Sequence, residues 1–202
     1  MPAQQLLLAS TSAYRRELLG KLRVPFTAVA PRIDETPLAA ESPEAAALRL
    51  SVLKAQAPAV EFPDALIIGS DQIASLNGVH LGKPGNHVAA VAQLRSMSGQ
   101  VMVFHTALSL YNSRTGNLQS CVVPTTVSIR RLTDEQIERY LRIDRPYDCA
   151  GSARSEGLGI ALIEWMRGDD PNALVGLPLI ALTGMLAREN WDVLENCMGN
   201  QV

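Results

Sequence analysis

Residues 6–19 read LLLASTSAYRRELL. The run Leu6 to Ala9 is short and wholly apolar, as in a strand covered on both faces. Three hydroxyl-bearing residues follow, Ser10, Thr11 and Ser12, and then a segment that sets Leu18, Leu19 and Leu22 on one face of a helix. A strand that feeds directly into a helix is a βα unit, and the rest of the chain extends that alternation. Phe26 to Ala30 reads as a second strand, and Pro31 to Glu41, with two prolines, as a loop. Ser42-Pro43-Glu44 starts a helix that runs to about Ala57. Ala65 to Gly69 is a buried strand, and Asn77-Gly78 marks a hairpin. Asn86 caps a helix carrying Val88, Val91, Ala92 and Leu94, with Gly99 just past its end. Val101 to Tyr111 and Leu118 to Ile129 are two long strands around a polar turn. Thr133 to Gln136 is a capping box for a helix to about Arg142. Gly159 to Glu164 reads as a further strand. Asp170-Pro171-Asn172 opens a helical region, broken by Pro178, that ends near Glu189, and a flexible, frayed tail is expected from about residue 190. Helices mixed with both βα units and antiparallel pairs predict an α/β fold with a mixed sheet. No linker or repeat divides the chain, so residues 1–202 are read as one domain.

Composition narrows the function. The chain has 202 residues, 47% hydrophobic and 19% charged, with a formal net charge of −2. That is too apolar and too weakly charged for a disordered protein. No apolar run approaches the roughly 18 residues of a membrane helix. The start, MPAQQLLLAS, lacks a basic segment, so a signal peptide is not expected. Near-neutral charge argues against binding a nucleic-acid polymer or an anionic membrane. Cys121, Cys149 and Cys197 form no CxxC pair, and His80, His87 and His105 have no zinc spacing. The expectation is a soluble cytoplasmic protein with reduced thiols.

Five places could carry chemistry. The 6–19 junction sets Arg15 and Arg16 at a helix N-terminus, where cations are disfavoured unless an anion arrives. Ser10, free backbone N–H groups and an arginine would hold a phosphate there; an ordinary capped helix with solvated arginines fits equally well. Asp71, in GSDQ after the buried strand, is a general base, a magnesium ligand or a turn residue. Asp34-Glu35 is either a carboxylate pair for magnesium or a solvated acidic loop. Gly82-Lys83-Pro84-Gly85 fails as a P-loop, because only three residues separate Gly78 from Gly82 and proline follows the lysine. Lys83, like Lys54, remains a candidate point charge for phosphate. Tyr147 to Gly157 offers small residues for close backbone approach and one acid, Glu156, without a serine-hydrolase elbow. Separated cations, two acidic spots and a helix N-terminus suit a small polyanion with magnesium.

Taken together, LLLASTSAYRRELL, IDETP, LIIGSDQI, GKPG, YDCAGSARSEG and DPNALVGLPL resemble, in order, the motifs of the Maf family, over about Leu6 to Arg188. The family comprises nucleotide pyrophosphatases, related in fold to inosine triphosphatase, that split a nucleoside triphosphate into the monophosphate and pyrophosphate. The resemblance implies a mixed, largely antiparallel central sheet flanked by helices, two lobes around a cleft, a homodimer, and a divalent cation, magnesium or manganese. It implies catalytic roles for Asp71, Glu35 and Lys83, with Glu35 and Asp71 as metal ligands. It implies substrate contacts from Ser10, Tyr14, Arg15, Lys54, Gln72 and Glu156. Ala13 stands where the family usually has proline, which costs pre-organisation of the first helical turn but no functional group. The branch acting on dTTP and UTP has Arg, Thr and Gln where this chain has Tyr14, Gln72 and Glu156. These three resemble the branch acting on 7-methyl-GTP. A methylated guanine ring is positively charged and stacks on an aromatic face, and its N1–H and N2–H2 groups suit a carboxylate acceptor. The implied role is house-cleaning of modified nucleotides; a dTTP/UTP pyrophosphatase or a nucleotide-binding regulator of cell division are the alternatives.

Overall fold

Strand β1 (Gln5–Ala9) is buried from Leu6 onward and lies parallel both to β2 (Thr27–Val29) and to the first residues of β3 (Ala65–Leu76). The computed structural model describes residues 4–36 and 38–197. β3 is far longer than its apolar run. It continues through Ser70, Asp71 and Gln72, and pairs antiparallel with β5 (Val101–Asn112) from Leu66 to Leu76. It then turns at Asn77 and Gly78 (φ 51° and 79°) into β4 (Val79–Leu81); two positive φ values in succession match the twist of a two-residue hairpin. β6 (Asn117–Ile129) and β7 (Ile163–Arg167) complete the sheet, in the order β2-β1-β3-β5-β6-β7 with β4 also on β3. Among the described residues only the pairings of β1 are parallel, so the sheet is mixed and largely antiparallel, as expected.

The helices start where their caps predict. Ser12, Ser42, Asn86 and Thr133 each accept a backbone N–H at the start of α1 (Ala13–Gly20), α2 (Pro43–Gln56), α3 (His87–Met97) and α4 (Asp134–Asp144). α5 (Leu179–Arg188) and the short α6 (Val193–Asn196) follow. α2 lies directly on β3 at Gly69, where a Cβ would come within 2.2 Å of the Ser51 carbonyl oxygen and 2.5 Å of the Ala55 nitrogen. Only glycine lets the two backbones come that close.

Two hydrophobic clusters share the long strands. One joins β1, α1 and α5 through Leu8, Leu19, Leu66, Ile68, Leu182 and Leu186. The other joins α3 and α4 to the far ends of β5 and β6 through Leu94, Met97, Met102, Ile129, Ile137 and Leu141. The cleft is lined by Phe104, Val127, Ile129 and Leu174 of the second cluster and by residues 10–15 of the β1–α1 junction.

Besides the length of β3, three sequence expectations are corrected. The strand placed at Gly159–Glu164 begins at Ile163 and runs to Arg167. Residues Leu158–Leu162 form a 3-10 turn, with Gly159 packed on the Arg154 backbone. Leu22 lies beyond the end of α1 and packs from the following turn. The frayed tail is structured as far as it is described: Trp191 joins the first core, and Asp192 caps α6. Pro37 and residues 1–3 and 198–202 lie outside the described residues. Among the described residues, no helix is long and apolar enough to cross a membrane.

Candidate functional site

The nine residues singled out in the sequence all line one cleft of about 720 Å³, within the usual range for ligand sites. They divide between its two ends.

The deep end is built on the sheet. The contact of α2 with Gly69 brings Lys54, in the last turn of α2, over β3. Its Nζ, nearly buried, lies 2.6 Å from Asp71 Oδ1 and 3.0 Å from Glu35 Oε1. Asp71 is not in a turn after the strand, as its sequence context suggested; it sits within β3, opposite Ala107. The parallel pairing with β1 stops at Ile68, however, because β1 leaves the sheet for α1. Asp71 therefore borders the carboxyl end of the parallel part, where α/β sheets place ligands. The Asp34-Glu35 pair is split. Asp34 accepts the N–H and hydroxyl of Thr36, bonds that hold its carboxyl below the usual range. Glu35 alone turns to the cleft and is 57% exposed.

Arg15 reaches the same end from α1, and its Nε donates to the Gly176 carbonyl at 2.9 Å. Desolvation pulls its guanidinium below the usual value, opposed by the charges of Asp71 and Glu35. Arg16 is exposed and does not line the cleft. Ser10 is buried, and its Oγ accepts the Ser12 N–H. Its hydroxyl hydrogen and the Ala13 and Tyr14 N–H groups make no hydrogen bond among the described residues, so they are available to an anion.

The outer end is built on loops. Lys83 is exposed and forms no ion pair among the described residues. Its loop is tied down at both sides: Gly82 accepts from Gln93 Nε2 at 2.9 Å, and the Gly85 N–H donates to the Tyr147 carbonyl at 2.9 Å. Gln93 also accepts the hydroxyl of Ser152, a buried residue at φ 52°. One side chain on α3 thus braces both the Lys83 loop and the loop that carries Glu156. Gln72 Nε2 lies within 3.0 Å of Thr106 Oγ1 and the Ala173 and Leu174 carbonyls. Its amide nitrogen is fully committed, and only its Oε1 is left for a ligand.

Sequence reasoning missed the supports. DPNALVGLPL was read as helix punctuation, yet its Ala173, Leu174 and Gly176 carbonyls hold Gln72 and Arg15. Asp170 in turn fixes this turn by accepting the N–H groups of Asn172 and Ile180. Backbone carbonyls have no sequence signature. Gln93 could have been flagged only by knowing which loops α3 faces.

The chain matches the family of Maf-like proteins over residues 5–189. The chain belongs to the Maf family. It is 64% identical over 189 residues, covering 94% of each chain, to a 7-methyl-GTP pyrophosphatase of Thiobacillus denitrificans. It is 57% identical to one of Methylobacillus flagellatus, over 94% of this chain and 98% of that one. It is 58% identical to one of Cupriavidus pinatubonensis, over 94% and 96%.

Proposed function

We propose that this Maf protein hydrolyses 7-methyl-GTP to 7-methyl-GMP and pyrophosphate. The observation that carries the reading is the hydrogen-bonding character of the outer end. Gln72 has spent its donors and offers an acceptor, Glu156 offers another, and Tyr14 supplies an aromatic face. Two acceptors and an aromatic ring lining one cleft suit a cationic purine with two adjacent donor groups. A pyrimidine has no such donor pair. The activities named for the similar proteins point the same way.

Arg15 and Lys54 at the deep end and Lys83 on its loop bind the triphosphate, with Ser10 and the α1 N-terminus holding a phosphoryl oxygen. Asp71 accepts the proton of a water that attacks the α-phosphorus, and pyrophosphate leaves. Charge builds on the phosphoryl oxygens as that happens, so the three cations act most strongly in the transition state. Glu35 and Asp71 are the residues that would hold magnesium or manganese. Their oxygens already share one cation, the Lys54 ammonium, and they are hard donors. No cluster of three or more acidic, His or Cys ligands occurs among the described residues, which suits an ion that completes its shell with water and phosphate. When bound, the ion neutralises phosphate charge.

A cytoplasmic house-cleaning enzyme acting as a homodimer completes the proposal. The three free cysteines support the reducing compartment, and family membership supports the dimer.

The test is pyrophosphate release, with magnesium, from 7-methyl-GTP, GTP, dTTP, UTP, CTP and ATP. A clear preference for 7-methyl-GTP is expected. Preference for dTTP or UTP would overturn the specificity reading. Nucleotide binding without pyrophosphate release from any of them would leave a regulator.

A further inference from the structure

Lys83 and Pro84 stand between Gly82 and Gly85, and glycine leaves a chain the most freedom. The loop is nevertheless clasped. Tyr147 grips it twice. Its carbonyl accepts the Gly85 N–H at 2.9 Å, and its hydroxyl lies 3.1 Å from Nδ1 of His87, the first residue of α3. The two rings meet edge to face, with centroids 6.2 Å apart. Tyr147 is a firm anchor, because it packs against the second hydrophobic cluster. On the other side of the imidazole, Nε2 lies 3.0 Å from Glu138 Oε2 on α4. A carboxylate only accepts, so Nε2 carries the hydrogen; in the neutral ring Nδ1 then accepts from the Tyr147 hydroxyl. α4 also holds the rest of the loop that starts at Tyr147. Asp144 pairs with the Arg154 guanidinium, and the Arg154 N–H donates to the Tyr140 hydroxyl at 3.2 Å. One helix thus backs both the Lys83 loop and the loop that carries Glu156.

We propose that His87, held between Tyr147 and Glu138, is a positioning residue for Lys83: it ties the loop of that lysine to the loop of Asp148 and Glu156 before nucleotide arrives. The inference rests on the reading of Lys83 as a triphosphate contact, and not on which base is bound. His87 does not line the cleft and acts only through the loop. Lys83 forms no ion pair among the described residues, so its loop, and not a counter-ion, places it. A loop with two glycines that was not clasped would have to be ordered by the ligand, and that cost weakens binding. The effect therefore falls on KM and on the dissociation constant, and little on kcat. It is shared by every nucleoside triphosphate the cleft accepts, because Lys83 meets the phosphates and not the base.

The experiment is a double-mutant cycle of His87→Phe with Lys83→Met. Its readouts are kcat and KM on 7-methyl-GTP, and Kd by calorimetry for the α,β-methylene analogue of 7-methyl-GTP, which cannot be cleaved at the α-phosphorus. His87→Phe keeps a ring but removes both nitrogens. It is expected to raise KM and Kd about 5-fold, the scale of one net hydrogen bond, with kcat within about 2-fold. His87→Gln, which keeps a donor for Glu138, should recover part of the loss. Tyr147→Phe removes the hydroxyl and leaves the carbonyl bond to Gly85, so it should give a smaller rise. Lys83→Met alone should raise Kd about 10-fold. In the Lys83→Met background, His87→Phe should raise Kd no further, because the residue it positions is gone. Should His87→Phe fail to fold, Tyr147→Phe carries the same cycle. An equal rise in both backgrounds would overturn the inference, since a histidine that merely supports the fold acts with or without Lys83. So would unchanged KM and Kd in both His87→Phe and Tyr147→Phe, or a fall in kcat alone. A Kd that Lys83→Met leaves unchanged would overturn the reading of Lys83 as a phosphate contact, and this inference with it.

Discussion

The two ends of the cleft are made differently. At the deep end, Lys54 and Asp71 sit on a helix and a strand whose backbones touch at Gly69, and both side chains are nearly buried. At the outer end, Lys83 and Glu156 are exposed on loops, and side chains of α3 and α4 hold those loops from behind. In the proposed reading the deep end handles phosphate, which every nucleoside triphosphate shares, and it is placed by the sheet. The outer end handles the base, which varies, with Lys83 alone reaching the phosphates, and it is placed by replaceable struts. A fold arranged this way can change substrate without disturbing its chemistry.

The largest expected effect lies at the deep end. Asp71→Asn should lower kcat for pyrophosphate release by about 10³-fold, since it removes the proposed general base, while the thermal midpoint moves little because Glu35 still pairs with the Lys54 ammonium. Near-normal turnover would take Asp71 out of the mechanism. Lys54→Met should cost both activity and stability. It leaves Asp71 nearly buried beside Glu35 without a counter-ion, and a broken buried pair is worth about 3 kcal/mol in a urea titration. An unchanged midpoint would mean that the deep end is not held together by this ammonium.

The outer end should respond in KM. Gln93→Ala releases both the Gly82 carbonyl and the Ser152 hydroxyl, so KM for the triphosphate is expected to rise about 10-fold, as for two lost hydrogen bonds, with kcat nearly constant. A fall in kcat alone would show that the strut serves the chemistry instead. The smallest effect is a control remote from both ends. Glu189 accepts from Asn112, Asn117 and Gln119. Burial would raise its carboxyl pKa, but these bonds outweigh burial and hold it below the ordinary value. A lowered folded pKa contributes stability above the unfolded value of about 4.3, and that stability is lost as the pH falls through the folded value. Glu189→Gln should therefore cost about 1 kcal/mol at pH 7 and little near pH 3, with kinetics unchanged.

The sequence was most informative where local physics decides the structure. Ser42, Asn86 and Thr133 capped the helices they announced, and Asn77-Gly78 turned the hairpin. β3 was read too short because Gly69-Ser70-Asp71 looks like a turn. Its extension depends on pairing with β5, a partner far along the chain that no local pattern reveals. The same limit applies to the site. Cations and carboxylates announce themselves by type, and Asp71, Glu35, Lys54 and Arg15 converge as a polyanion site requires. Their supports, the carbonyls of Ala173, Leu174 and Gly176 and the side chains of Gln93 and Asp144, become visible only once the chain is folded. Asp34 makes the converse point: it resembles Glu35 in sequence, but its bonds to Thr36 turn it to another task.

The division between the two ends is tested most directly by exchanging the outer end alone. The triple variant Tyr14→Arg, Gln72→Thr and Glu156→Gln would be compared with wild type by kcat and KM on 7-methyl-GTP and dTTP. The account predicts that the preference inverts toward dTTP, while kcat on each protein's better substrate stays within about 10-fold, because the phosphate machinery is untouched. A preference that remains with 7-methyl-GTP, or a loss of turnover on both nucleotides, would contradict it.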